Sequence, residues 1–230
     1  MKKIFVLIFI LGILCTSAYG ATSEIVSGES IKKAQLKIDQ IGFKLLNYNG
    51  IEKRTVFDFD TKNTKNAYSR STDRQIVVHR GLYNRLESDD EIAAILAHEI
   101  AHSIDSYNGI FRGVFYSWSY YFAPKKYEYK ADKKAVDYLV HAGYNPVALI
   151  VVMSKVFPQN RFDWYSTHPL ASRRMMEVYE YIYKKYPEYL ANNAYKNNIY
   201  YQNFLLTSKE NRAKFQKKIE NKSKRSVNYL

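Results

Sequence analysis

Inside the run LAHEIAH, His98, Glu99 and His102 stand in the order H-E-x-x-H. On a helix, positions four apart project from one face, so both imidazoles can reach a single ion. Glu99, next to the first of them, points to where a coordinated water would sit. The spacing therefore suits hydrolysis. Zinc lowers the pKa of bound water, and an adjacent carboxylate can take the proton and pass it to the leaving amine. The same spacing also fits two histidines satisfied in a helical core, and chance matches to so short a motif occur.

A zinc site of this kind needs a third protein ligand. The pattern that supplies a third histidine, H-E-x-x-H-x-x-G-x-x-H, is excluded because Asp105 and Asn108 occupy the required positions. A carboxylate from a later helix remains. Glu128 and Asp132, in YEYKAD, again lie four apart, so Glu128 can coordinate while Asp132 orients a ligand histidine. Lys126, Lys130 and Lys133 surround them, as on a solvated helix face. Spacing alone leaves both readings open.

The motif must be held by elements that the pattern also announces. Ser88 is an N-cap candidate, and Glu91 three residues on completes a capping box. Ile92, Ile95, Leu96 and Ile100 then face inward, which puts the motif on a buried helix. Ile31, Ala34, Ile38, Ile41 and Leu45 mark an earlier amphipathic helix over residues 28–47. Alternation at Thr55, Phe57 and Phe59, and a second β-like run at Gln75 to His79, predict a small antiparallel sheet. The run Gln75 to His79 is expected at the sheet edge, where an extended substrate strand could pair. Further helices are expected at Tyr127 to Leu139, Val147 to Val156 and 170–185. The stretch 109–124, GIFRGVFYSWSYYFAP, is too short for a span and carries Arg112, so it reads as core or cleft wall. Eight Lys or Arg between Lys209 and Arg225 suggest a solvated, frayed helix.

The first twenty residues differ in kind. Lys2 and Lys3 precede an unbroken apolar run from Ile4 to Leu14, and Ala18-Tyr19-Gly20 is a small-x-small cleavage signal, as in a secretory leader. Cys15, the only cysteine, follows Leu14 where a lipoprotein signal wants a small residue. Cleavage after Gly20 leaves no thiol, so any metal is held by histidine and carboxylate. The formal charge is +13 over the whole chain. In the cytoplasm that would invite a nucleic-acid partner; export removes the appeal, leaving anionic lipid or envelope polymer, or acidic substrates.

Three ordered segments, IVVHRGLYNRLESDDEIAAILAHEIAH, EYKADKKAVDYLVHAGYNPVAL and STHPLASRR, resemble the landmarks of peptidase family M48, the gluzincin zinc metallopeptidases, from about Asn66 to about Pro187. By position, the resemblance implies one zinc per chain held by His98, His102 and Glu128, with Glu99 as catalytic base and Asp132 behind a ligand. His168 matches a histidine near the metal, as oxyanion stabiliser or switch, and Arg173 the arginine that follows it. The interval from His102 to Glu128 is shorter than in many periplasmic members. The expectation is an α+β, zincin-like fold, mostly helical with a small antiparallel sheet. Its parts are a leader (1–20), a peptidase domain (21–187) and a basic helical extension (188–230). It would act as a periplasmic endopeptidase on misfolded or misassembled proteins, with protein or peptide partners, envelope or membrane-surface contact and no nucleic acid. A chaperone-like module with a structural zinc is the rival, but it has no use for Glu99.

Overall fold

A serine and a row of apolar residues start the fold. The Ser27 hydroxyl accepts from Ser30 N–H at 3.2 Å and opens helix α1 (Gly28–Tyr48). Ala34, Ile38, Ile41 and Leu45 form its buried stripe, as the periodicity predicts. The computed structural model describes residues 27–70, 73–106, 124–157 and 171–229. The expectations for the leader, for the aromatic stretch up to residue 123 and for His168 fall outside those residues. Gly42 seats α1 on the sheet, since a β-carbon there would lie 2.6 Å from the Phe57 ring.

The sheet has three strands: β1 (Val56–Asp60), β2 (Ala67–Arg70) and β3 (Gln75–His79), in the order β1-β3-β2. β3 runs antiparallel to β2 but parallel to β1, with Phe57 opposite Ile76. The sheet is therefore mixed, and antiparallel pairing holds for one of its two ladders. β3 is also its central strand, not an edge, because β2 leads the chain back and β3 returns between its two predecessors. Ile76, Val77 and Val78 are buried accordingly.

A short helix, α2 (Arg80–Tyr83), leads to α3 (Asp89–Ser106), α4 (Pro124–His141), α5 (Val147–Val156) and α6 (Ala171–Lys185). The start of α3 is capped largely as predicted. Ser88 Oγ accepts from Glu91 N–H at 3.2 Å, while Glu91 reaches one residue further back, to Glu87 N–H at 3.0 Å. Buried Lys155 of α5 holds the same carboxylate at 2.8 Å. α4 ends at Gly143, whose φ of 74° and bonds Gly143 N to Val140 O and Tyr144 N to Leu139 O form a Schellman stop. α5 is apolar except at Ser154 and Lys155 and buried over most of its length, and it packs among α3, α6 and a later helix.

α7 (Glu188–Ala191), α8 (Ile199–Thr207) and α9 (Lys209–Glu220) complete the chain, giving nine helices among the described residues. The basic tail is not a frayed helix. Phe215 is buried against Tyr183 at 5.3 Å between ring centroids, and Tyr229 is buried beyond the last helix. Two aromatic residues set among lysines anchor it.

Glu180 of α6 ties the tail down, accepting from Lys218 of α9 at 2.6 Å and from Lys184 and the Tyr229 hydroxyl. Burial pushes its pKa up, but these donors outweigh burial and hold it at about 2, against an ordinary 4.5. A depressed folded-state value contributes stability that is present above the unfolded value and is lost as pH falls through the folded one. Glu180→Gln should therefore lower Tm at neutral pH and flatten the wild-type decline between pH 4.5 and about 2. Parallel Tm curves for the two proteins would remove Glu180 from this role.

Candidate metal centre

α3 packs directly against α4, and α4 against α6. Ala94 and Ala101 on α3, and Ala131 and Ala135 on α4, lie within a turn of the polar residues on the same faces and are buried. Small side chains there let the helices approach closely.

That approach brings His98 and His102 of α3 onto Glu128 of α4. The two Nε2 atoms are 3.1 Å apart. Glu128 Oε1 lies 3.3 Å from His102 Nε2, and its Oε2 lies 3.6 Å from His98 Nε2. Tetrahedral zinc with ligands at about 2.0–2.2 Å places those ligands ~3.3–3.6 Å from one another. The two Glu128 separations match that spacing and the histidine pair is slightly tighter, so the three side chains can hold the ion, and they are the one such cluster among the described residues. Glu99 is half-buried and outside the cluster, as suits a base rather than a ligand.

Asp132, fully buried, lies 3.0 Å from His98 Nδ1. A proton held on Nδ1 leaves the Nε2 lone pair for a metal, which is the expected task of Asp132. Its own partner is Arg174 of α6. The guanidinium meets Asp132 as a fork, Nε to Oδ2 at 2.8 Å and Nη2 to Oδ1 at 2.7 Å, and Nη1 reaches Glu128 Oε2 at 2.9 Å. One arginine thus fixes both carboxylates.

The charges explain why a cation belongs here. Once His98 and His102 are neutral, as ligands must be, Glu99, Glu128 and Asp132 against one guanidinium leave two negative charges, the number a divalent ion cancels. Burial lowers the pKa of His98, but its bonds to Asp132 and Glu128 outweigh burial and raise it to about 10. Burial raises the Asp132 carboxyl, yet Arg174 overrides this and holds it below the ordinary range. Asp132→Ala should lower zinc affinity roughly 10–100-fold without abolishing it. Competition with a zinc-sensitive chelator measures this, and unchanged affinity would show that Asp132 does not orient His98.

The sequence expectation for an arginine here rested on Arg173, which is half-buried on the neighbouring face. Arg174, the next residue, reaches both carboxylates. Its signal was present: Arg174, Val178 and Ile182 recur every four residues and are all buried, so Arg174 belongs to the apolar stripe of α6. Asp105 is drawn away from the site by Lys130 at 3.1 Å and by Lys134. His79 is buried at the sheet, bonded to Thr64, and exposed His141 pairs with Asn49 at 2.9 Å. Neither joins the cluster.

The model of Peptidase family M48 matches residues 32–112 and 116–182, which include most of α1, the sheet and every side chain of the centre. A comparison with curated proteins finds no match.

Proposed function

Because the chain belongs to peptidase family M48, we propose that it is a zinc-dependent endopeptidase with protein or peptide substrates. The observation that carries this is the His98, His102 and Glu128 cluster, with Glu99 beside it on the same helix yet outside the ligand set. A zinc ion held there supplies Lewis acidity, lowering the pKa of a water and polarising the substrate carbonyl. Glu99 takes the proton from the attacking water and delivers it to the departing amine. Asp132 keeps His98 in the tautomer that ligates, and Arg174 holds Asp132 and Glu128 in place.

The substrate lies extended along β2. Among the described residues β2 pairs with β3 alone, and it packs against α3. The outer edge of β1 is closed instead: the Gln35 amide donates to Phe57 O at 2.8 Å and accepts from Phe59 N at 2.8 Å, standing in for a neighbouring strand. The cell envelope is the proposed place of action and misfolded or misassembled envelope proteins the proposed substrates; the leader-like residues 1–20 support the former.

The test is a digest of a denatured protein by the full chain, with and without a chelator, read by mass spectrometry. Internal cuts that vanish with chelation are expected. Trimming from the ends alone, or cuts that persist in chelator, would overturn the reading.

A further inference from the structure

The chain beyond residue 182 lies outside the family match, yet it is bound firmly to the part that carries the centre. The Tyr195 hydroxyl lies 3.1 Å from Ser88 Oγ and 3.3 Å from Asp90 Oδ2, at the start of α3. The Lys155 ammonium that holds Glu91 sits 4.9 Å over the Tyr200 ring. With Phe215 and Tyr229 buried and Glu180 gripping Lys218, the extension has a fixed inner face.

Its outer face has an unusual composition. Ile199 and Leu206, seven apart on α8 and hence on one side of it, are 72% and 76% exposed, the highest values among the large apolar residues described. Folding has buried Tyr201, Phe204 and Phe215 of the same two helices and left these aliphatics out. On α9 and the segment after it, Lys209, Lys214, Lys217, Lys222, Lys224 and Arg225 are exposed, against exposed Glu210 and Glu220. None of the six cations enters an ion pair among the described residues.

We propose that this outer face docks the protein on an anionic lipid surface, with Ile199 and Leu206 entering the interface and the cations of α9 meeting lipid phosphates. Aliphatic side chains beside lysines suit a bilayer surface, where apolar area and attraction to anionic headgroups add. A nucleic-acid surface would present stacking aromatics and arginine forks; here the aromatics are buried and five of the six cations are lysine. A second copy of the chain would set like charges against each other. No described helix is long and apolar enough to cross a membrane. Because the extension is clamped to the start of α3, docking would set the orientation of the centre to the surface. This inference does not depend on the peptidase activity.

The test is co-sedimentation of the full chain with vesicles of phosphatidylcholine alone and of equal parts phosphatidylcholine and phosphatidylglycerol. Binding is expected to the second vesicle only, and to fall as salt shortens the screening length. The combined variant Lys214→Glu, Lys217→Glu, Lys222→Glu should bind at least about a hundredfold more weakly. Ile199→Ser with Leu206→Ser should weaken binding several-fold at unchanged charge. Both alter exposed side chains, and a Tm within a few degrees of wild type certifies the fold. Equal binding to both vesicles, wild-type binding by the charge variant, or preference for single-stranded nucleic acid over the anionic vesicle at the same salt would overturn the proposal.

Discussion

Glu99→Gln is expected to leave zinc affinity within a few-fold of wild type while lowering kcat on a protein substrate by about a hundred- to ten-thousandfold. The amide keeps the shape and half-buried position of the side chain on α3. It lacks the lone-pair basicity that moves a proton from water to amine. Because Glu99 lies outside the ligand cluster, metal content should not follow activity down. Chelator-sensitive cleavage at the wild-type rate would remove Glu99 from the proton path. Binding of zinc by both proteins, with cleavage by one, separates the cases.

The second large effect belongs to Glu128. Glu128→Ala should lower zinc affinity by more than the roughly 10–100-fold expected when a partner behind a ligand is lost. It removes one of three ligands and, in addition, leaves Arg174 Nη1 with no carboxylate at 2.9 Å. The guanidinium, still forked on Asp132, would then lie 3.5 Å from His98 Nε2 with one carboxylate fewer to offset it, which disfavours a divalent cation. Asp105→Ala is the control: Asp105 is engaged by Lys130 and Lys134, so its loss should leave the metal bound. If Asp105→Ala released zinc and Glu128→Ala retained it, the ligand set proposed here would be wrong.

The active helix was legible because its signals are local. Ser88 and Glu91 mark the start of α3, the apolar period places His98 and His102 together, and both follow from helix geometry alone. Whether Glu128 and Asp132 faced the histidines or solvent was not legible from spacing, because the surrounding lysines fit either case. Packing of α3 on α4 decides it.

The sheet was read less well. β2 has four residues and no clear alternation, too little for a periodic signal, and without it β3 looked like an edge. That β3 lies between β1 and β2 depends on the path of the chain through residues 61–74, which no period records. Arg173 and Arg174 differ by one position, a rotation of about 100° on a helix. The motif pointed to Arg173, whereas the buried stripe formed with Val178 and Ile182 marks Arg174 as well. In the tail, charge counting gave weight to the lysines and passed over Phe215 and Tyr229, the residues that fix it.

One zinc, held by His98, His102 and Glu128, is proposed to turn on peptide-bond cleavage. Its most direct test is a titration of the metal-free full chain with zinc while cleavage of a denatured protein is followed. No cleavage is expected before zinc is added, followed by a rise that saturates at one equivalent. Cleavage by the metal-free chain, or stoichiometric zinc binding with no cleavage, would contradict it.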